Sequence, residues 1–243
     1  MYQSHKLYTQ LTTPDSQMTS STPSYYSNIN AELLDICQSA NRVIEFGCGA
    51  GRFLEAYKSI NPQSECIGFE LFESAAKEAQ ERCDKVITGN AEQDFKDLNL
   101  YGPEAFDLII YGDVLEHFLN PWQTLQQHLT YLKPGGTVCA CIPNASHWSI
   151  IFELVNGTFN YKDSGLLDRT HLRFFTKATI IELFQTAGLE LEYLAPRSFQ
   201  TKNTANGLAT LAKLFDKPLD QISKNRIEDW STFQYLVRAT KPK

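Results

Sequence analysis

Short apolar runs alternate with longer amphipathic segments through most of the chain. The apolar runs are predicted strands, and they cover residues 42–46, 66–69, 86–87, 106–111, 137–142, 189–194 and 233–239. In the segments between them, such as 72–83 and 122–132, apolar side chains recur at helical spacing. Strands that alternate with helices predict right-handed βαβ units and a parallel sheet that is covered on both faces. The pattern therefore indicates an α/β fold.

Two of the predicted helices have clear ends. The helix after the first strand begins near residue 53 and ends at about residue 60, before Asn61-Pro62. A later helix covers 177–187, with Thr176 as its N-cap and Gly188 directly after its last residue. Both ends are predicted from local sequence alone.

The alternation is interrupted by a polar start and by two inserts. Residues 1–23 are rich in Ser, Thr and Gln, lack any apolar period, and are predicted to be a flexible polar tail. The inserts lie at about 144–175 and 196–230, and we expect both to act as lids. No linker inside 24–243 is long enough to separate domains, so we expect one domain there.

Composition and charge exclude several classes of protein. The 243 residues are 42% hydrophobic and carry a formal net charge of −6, which is ordinary for a globular chain. The acidic balance argues against broad binding of nucleic acid or of an anionic membrane, because both need a basic face. The longest apolar runs are far shorter than the ~18 residues of a membrane span. The six cysteines form no C-x-x-C pair, and we expect buried reduced thiols and a cytoplasmic location.

A glycine-rich turn, Glu45-Phe46-Gly47-Cys48-Gly49-Ala50-Gly51, joins the first strand to the first helix. Glycine lets the backbone turn sharply and approach a ligand at the helix N-terminus, where free N–H groups point outward. Glu70 ends the next strand, where an acidic side chain suits the hydroxyls of a ribose. Arg52 occupies the place of the third glycine of a dinucleotide-binding motif, which disfavours an NAD-linked oxidoreductase.

The glycine turn resembles the first motif of class I S-adenosylmethionine (SAM)-dependent methyltransferases. The segments Phe106–Ile110, Val114–His117 and Leu132–Gly136 resemble later motifs of that superfamily in the same order, and the match covers about residues 25–195. The resemblance implies a Rossmann-like, seven-stranded, mostly parallel sheet with helices on both faces and an antiparallel last strand at 233–239. It also implies SAM as the cofactor.

The resemblance further assigns residues that would contact the cofactor. The glycine turn would hold the methionine part, with Glu45 near its amino group, while Glu70 would bind the ribose and Asn90 the base. The family often has Asp where this chain has Asn90, whose amide still hydrogen-bonds a base. The full set of expected cofactor-binding residues is Glu45, Gly47, Cys48, Gly49, Gly51, Glu70, Leu71, Asn90, Ala91 and Glu92.

Candidate catalytic residues follow the fourth predicted strand. Asp113, Glu116 and His117 have D-x-x-E-H spacing, and His171 lies before a later helix. A helical turn would place positions i and i+3 on one face. This pattern resembles one found in ubiquinone-pathway O-methyltransferases and in small-RNA 2′-O-methyltransferases. In those enzymes the pattern is similar to the ligand set of a divalent cation.

Three roles stay open for these four residues. His117 or His171 would accept a proton or orient the substrate, because imidazole titrates near neutral pH. The four side chains would otherwise hold a divalent metal, or the histidines would be structural. We expect the first role; a divalent metal is compatible with the sequence but not expected.

The first insert leaves the fifth strand at its carboxyl end, where ligands of such sheets bind. Its candidate substrate-binding residues are Asn144, Trp148, Arg169 and Arg173. The two arginines would bind a carboxylate or phosphate of the substrate, or pair with nearby acidic residues of the insert.

The sequence thus predicts a SAM-dependent methyltransferase that acts on a small-molecule acceptor, with a hydroxyl of a metabolite, sugar or natural product as the first expectation. No nucleic-acid or membrane partner is expected, and the oligomeric state is not predicted. Three alternatives stay open: a non-catalytic SAM-binding subunit, an enzyme like the RNA 2′-O-methyltransferases and, least favoured, an NAD-linked oxidoreductase.

Overall fold

The computed structural model describes residues 29–199 and 202–243, and in this part of the chain seven strands form one sheet. The strands are β1 (Arg42–Phe46), β2 (Glu65–Glu70), β3 (Lys85–Thr88), β4 (Phe106–Gly112), β5 (Leu132–Pro143), β6 (Glu190–Arg197) and β7 (Gln234–Thr240). Their spatial order is β3-β2-β1-β4-β5-β7-β6, and β7 is antiparallel to both of its neighbours. The expected seven-stranded, mostly parallel sheet with an antiparallel last strand is confirmed.

Helices cover both faces of the sheet. In the described residues they are α1 (Ala31–Ile36), α2 (Arg52–Ile60), α3 (Glu73–Ala79), α4 (Pro121–His128), α5 (Trp148–Val155), α6 (Lys177–Thr186), α7 (Lys202–Leu214) and α8 (Lys224–Ser231). Alternate residues of the strands face two separate cores. One core includes side chains of α4 and α6, and the other includes side chains of α1, α2 and α3.

The predicted ends of the helix after the first insert agree with the structure, because they depend on local capping residues. Helix α6 begins with a capping box between Thr176 and Thr179, and the chain leaves it through Gly188 at φ +84°. All six cysteines are free thiols, and five of them are buried. The predicted polar tail, residues 1–23, lies outside the described residues.

The structure differs from the predicted elements in two places. Strand β5 begins at Leu132 rather than at residue 137, because Leu132 pairs with Phe106 before a shift of register. The two inserts contain helices α5, α7 and α8, whose apolar residues pack with one another; Trp148 in α5, for example, lies directly against Gly207 in α7. No helix within residues 29–199 and 202–243 combines the length and apolar character needed to cross a membrane.

The order of the strands places the site. Strands β1 and β4 are neighbours, but the chain continues from β1 to β2 on one side and from β4 to β5 on the other. The loops after such a pair diverge and leave a crevice at the carboxyl edge of the sheet. The glycine turn follows β1 and the D-x-x-E-H segment follows β4, so both lie at this crevice.

Candidate active site

The glycine turn is closely packed on both sides. Gly47, Gly49 and Gly51 have φ values of +71°, +53° and +77°, a region that other residues rarely adopt. A Cβ atom on Gly47 would lie 2.8 Å from Val114 Cγ2, and one on Gly51 would lie 2.9 Å from Cys83 Sγ. Glycine is therefore required here both by backbone conformation and by the approach of the turn to its neighbours.

Glu70 ties the glycine turn to the end of β2. Its Oε2 accepts the N–H of Gly49 at 2.8 Å, and its Oε1 accepts the N–H of Phe72 at 2.9 Å. Burial raises the pKa of Glu70 above its ordinary value, although these N–H donors act in the opposite direction. Leu71, beside it, is 40% exposed and is available to a ligand.

Glu45 has an unpaired polar atom next to the glycine turn. The side chain is only 5% exposed, and its Oε2 has no hydrogen-bond partner among the described residues. Burial, and next the charge of Glu70, raises the pKa of Glu45 to about 8. An unpaired carboxylate at this place fits the ammonium group of an amino-acid-like ligand. The chain therefore fits the methionine part of SAM.

The loop after β3 is held mainly by its own acidic side chains. Asn90 Oδ1 accepts the N–H of Glu92 at 2.8 Å, so the amide oxygen is directed into the loop. The Glu92 carboxylate accepts the N–H groups of Leu119 and Asn120, each at 2.9 Å, at the start of α4. The side chain of Glu92 thus connects this loop to α4, a favourable place for an acid. Its expected contact with the cofactor stays a prediction.

Glu116 is a buried carboxylate without a hydrogen-bond partner. It lies in the short 3₁₀ turn Leu115–His117, its exposed fraction is 1%, and neither of its carboxylate oxygens has a partner in the described part of the chain. Burial, and next the charge of Asp113, raises the pKa of Glu116 well above its ordinary value. A buried, unpaired carboxylate is costly unless it is protonated or a ligand approaches it.

Two histidines lie beside Glu116. His171 Nε2 is 3.8 Å from Glu116 Oε1, and the His117 and His171 rings have centroids 4.8 Å apart. One ligand atom from each of Glu116, His117 and His171 lies within 4.8 Å of the other two. We call these three residues the Glu–His–His cluster.

Backbone carbonyls orient both imidazoles. His117 Nδ1 lies 3.1 Å from the carbonyl oxygen of Thr170, and His171 Nδ1 lies 3.3 Å from that of Leu166. Because a carbonyl oxygen only accepts, each neutral ring carries its proton on Nδ1 and keeps a lone pair on Nε2. Burial, and next His171, lowers the pKa of His117 to about 4, and burial also lowers the pKa of His171. The cluster therefore presents acceptors, which suits a proton or a cation.

Asp113 is directed away from this cluster. Its φ is +55°, and its carboxylate accepts a hydrogen bond from the side chain of Gln234 in β7. The amide oxygen of Gln234 accepts a hydrogen bond from Arg197, whose guanidinium group also pairs with Glu32. Burial raises the pKa of Asp113 to about 6. The D-x-x-E-H segment therefore brings Glu116 and His117 together. Asp113 instead joins a network with Gln234 in β7 and Arg197 in β6.

The predicted substrate-binding residues are divided between different surroundings. The Nδ2 of Asn144 donates to the carbonyl oxygens of Asp229 and Thr232, so this fully buried side chain connects the end of β5 to the end of α8. Arg169 forms an exposed ion pair with Asp163, and Arg173 donates to the carbonyl of Leu119. Their expected contacts with substrate stay predictions.

Aromatic side chains of the first insert lie next to the cluster. Phe159 is 5.3 Å, between ring centroids, from both Tyr161 and Phe174, and Phe174 is 6.4 Å from His171. Tyr161 and Phe174 are both exposed, so this aromatic edge is open to solvent. Trp148 has a buried indole N–H without a hydrogen-bond partner in the described ranges.

Sequence reasoning missed several polar residues near the site. His128 is fully buried on the inner face of α4, and Gln234 and Arg197 bind one another beside Asp113. The only local signal for His128 is its spacing from Pro121, Thr124 and Leu125, which share the buried face of the helix. Nothing in the local sequence around Gln234 or Arg197 indicates their partners, since these come from distant parts of the chain.

Comparisons with known proteins agree with this architecture. A ubiquinone biosynthesis O-methyltransferase of Albidiferax ferrireducens is 23% identical over 180 residues, which cover 69% of this chain and 70% of that protein. A SAM-dependent methyltransferase of Thermotoga maritima aligns with a TM-score of 0.58 at 18% identity, over 99% of this chain and 96% of the other. A SAM-dependent methyltransferase of Archaeoglobus fulgidus aligns with a TM-score of 0.56 at 16% identity, over 87% of this chain and 89% of the other. The two structures show a shared fold.

The family itself is shown by a match to most of the chain. The family described as a methyltransferase domain matches residues 18–194, which contain the glycine turn, the loop after β3 and the whole Glu–His–His cluster. With its strand order and its buried acids at the carboxyl edge, the chain belongs to the methyltransferase-domain family and is a class I SAM-dependent methyltransferase.

Proposed function

We propose that this protein transfers the methyl group of SAM to a hydroxyl group of a small-molecule acceptor. The observation that carries the proposal is the buried carboxylate of Glu116, which faces the lone pair of His171 Nε2 at 3.8 Å. Two acceptors at this distance need a proton or a cation between them. Either one suits the activation of a hydroxyl, since an alcohol needs its proton removed before or during methyl transfer.

The chain's own residues divide the task of binding the cofactor. When bound, SAM supplies a methyl group on a positively charged sulfur. Glu45 would pair with its ammonium group and Glu70 with its ribose, while the packed glycine turn would hold the methionine part. Residues that fix both ends of the cofactor would orient its methyl group toward the acceptor, and such orientation accounts for much of the rate enhancement in a displacement reaction.

On the acceptor side, the Glu–His–His cluster receives the proton of the hydroxyl. Burial keeps both imidazoles neutral, so each Nε2 has a lone pair at neutral pH. The carbonyls of Thr170 and Leu166 hold the Nδ1 protons and stabilise the charge that a ring gains when it accepts a second proton. Burial raises the pKa of Glu116, so its carboxyl group beside His171 serves the same purpose once it has lost its own proton, as it would on binding a cation.

The same three side chains fit a divalent cation. Two imidazole nitrogens of fixed tautomer and one carboxylate are ordinary ligands of such ions. A cation bound there would lower the pKa of the acceptor hydroxyl. Asp113 would not be a ligand in this conformation, because Gln234 holds its carboxylate.

Two further observations support an oxygen acceptor of small size. The relative from Albidiferax ferrireducens is named an O-methyltransferase of ubiquinone biosynthesis. The aromatic edge of Phe159, Tyr161 and Phe174 beside His171 suits a planar or partly apolar acceptor. The net charge of −6 disfavours RNA, which needs a basic surface.

Binding of the cofactor is the first experiment. Calorimetric titration with SAM, S-adenosylhomocysteine and NAD, each with and without Mg²⁺, is expected to show binding of both adenosyl ligands and none of NAD. Binding of NAD alone would contradict the assignment of the glycine turn.

Transfer is measured next with radiolabelled SAM and a panel of phenols, sugars and an RNA oligonucleotide. We expect label on a hydroxylated small molecule. Loss of transfer in EDTA and recovery with Mg²⁺ would assign a cation to the cluster, whereas transfer unchanged by EDTA would leave it a proton acceptor. Binding of SAM without transfer to any acceptor, in both conditions, would favour a non-catalytic subunit.

A further inference from the structure

His128 is a buried histidine that the proposed reaction does not use. It is the last residue of α4 and its exposed fraction is 0%. Its ring stacks on the ring of Phe46, with centroids 3.7 Å apart and planes 3° from parallel. Because Phe46 directly precedes Gly47, the imidazole packs next to the start of the glycine turn.

Both ring nitrogens of His128 make hydrogen bonds. Nδ1 lies 2.8 Å from the hydroxyl oxygen of Tyr111, and Nε2 lies 2.8 Å from the carbonyl oxygen of Ala91. The Ala91 carbonyl only accepts, so Nε2 carries the proton and Nδ1 accepts from the tyrosine hydroxyl. Burial lowers the pKa of His128 to about 3, which keeps this single neutral tautomer across the physiological range.

These contacts connect three segments that converge at the crevice. Phe46 ends β1 before the glycine turn, and Tyr111 lies in β4 next to its last residue, Gly112. Ala91 belongs to the loop after β3, whose own internal bonds run between Asn90 and Asp94. Glu92 connects this loop to the start of α4. The His128 bond to the Ala91 carbonyl, one residue from Asn90, connects it to the end of α4 and, through Tyr111, to β4.

We propose that His128 is a positioning residue for adenine recognition: its Nε2–H fixes the Ala91 peptide, and with it Asn90, at the place where the base of the cofactor binds. The inference rests on the proposed function, because it takes SAM as the ligand of this loop. Tyr111 fixes the tautomer of His128 and so acts on the loop one step further away.

Two variants of His128 separate the bond from the packing. His128→Phe keeps an aromatic ring against Phe46 and loses both hydrogen bonds, whereas His128→Gln keeps an N–H donor for the Ala91 carbonyl. We expect His128→Phe to weaken S-adenosylhomocysteine binding about tenfold, the effect of losing one well-placed buried hydrogen bond. His128→Gln is expected to recover most of that loss. The turnover at saturating SAM should change little in either.

Selectivity for the base is the readout that a purely structural role would not change. The preference for S-adenosylhomocysteine over its inosine analogue, which differs only at the base, is expected to shrink in His128→Phe and to persist in His128→Gln. Hydrogen exchange without ligand should be faster at residues 89–94 in His128→Phe, while β1 and β4 remain protected.

Tyrosine variants keep the inference testable if His128→Phe does not fold. Tyr111→Phe removes the hydroxyl that bonds His128 and is expected to weaken binding about threefold. Tyr131→Phe is its matched control, because that hydroxyl bonds Asn99 away from the crevice, and no change in binding is expected. A folded His128→Phe, or Tyr111→Phe, with unaltered affinity and base preference would overturn the inference. Failure of the wild-type protein to bind S-adenosylhomocysteine would instead overturn the proposed function itself.

Discussion

Carboxylates on the two sides of the crevice are satisfied in different ways. Glu70 and Glu92 accept hydrogen bonds from backbone N–H groups and tie together neighbouring turns. Glu116 has no hydrogen-bond partner among the residues described, and Glu45 leaves its Oε2 unpaired. The first pair holds the frame of the site. The second pair has capacity for ligands, since an unpaired buried carboxylate persists only where something else stabilises it.

The two unpaired carboxylates have different expected partners. Glu45 lies beside the glycine turn, where a ligand brings its own positive charge. Glu116 lies among lone pairs of His117 and His171, where a proton or a cation completes the group. If this comparison is correct, removing the charge of Glu45 should affect binding, and removing that of Glu116 should affect chemistry.

The largest effect is expected for Glu116→Gln. The substitution keeps the size of the side chain but removes an acceptor from the Glu–His–His cluster, and we expect turnover to fall by about 10²- to 10⁴-fold. Affinity for S-adenosylhomocysteine should stay as in the wild-type protein. Glu81→Gln, at an exposed position in the turn after α3, is the control. Unchanged turnover in a folded Glu116→Gln protein would contradict the assignment of the Glu–His–His cluster to activation of the acceptor hydroxyl.

Gly47→Ala tests whether the close packing of the glycine turn against Val114 contributes to stability and to cofactor binding. A Cβ atom there would lie 2.8 Å from Val114 Cγ2 at a φ of +71°, so both strain and a clash arise. Such strain costs on the order of 1–3 kcal/mol, and we expect thermal unfolding at a lower temperature together with weaker SAM binding. Gly157→Ala is a matched control, because Gly157 also has a positive φ of +72° but open space around it. Equal losses in both variants would show that strain alone, and not the packing against Val114, is responsible.

Much of the fold and part of the site could be predicted because their signals are local. The glycine turn, the cap at Thr176 and the strand pattern each depend on a few neighbouring residues. The separation of Asp113 from Glu116 was not predictable, since it depends on a left-handed backbone at Asp113 and on Gln234 in a distant strand. The partners of Glu92 and His128 were hidden for the same reason: they belong to other segments of the chain.

The pH dependence of cofactor binding should identify Glu45. Its pKa is about 8 in the free protein, so at lower pH a proton must leave before the carboxylate pairs with an ammonium group. Affinity for S-adenosylhomocysteine is therefore expected to rise with pH up to about 8 and then to level off. Burial and, next, the negative charge of Glu70 raise the pKa of Glu45 to this value. Calorimetry in two buffers of different ionisation enthalpy should show proton release at pH 7.

The Glu45→Gln variant should remove this pH dependence and weaken binding about tenfold, as expected for one charge-assisted hydrogen bond. It should also change stability. A carboxyl whose folded pKa is raised contributes stability that is full below its unfolded value and is lost as pH rises through about 8. The variant should thus lose less stability than the wild-type protein between pH 5 and pH 8. Proton release that persists in Glu45→Gln would assign it to another group.

The smallest effect is expected at the exposed edge of the first insert. Arg169 pairs with Asp163 at 2.7 Å, but both side chains are mostly exposed, and such pairs contribute at most about 1 kcal/mol. Arg169→Gln should therefore leave the unfolding temperature nearly unchanged. If Arg169 binds a carboxylate or phosphate of the acceptor, the variant raises the acceptor KM while turnover and SAM affinity stay constant. The control is Asp163→Asn, which breaks the same ion pair and leaves the arginine free. A rise of KM in Arg169→Gln but not in Asp163→Asn would place the acceptor's anionic group at this edge, whereas equal behaviour of the two variants would restrict Arg169 to its ion pair.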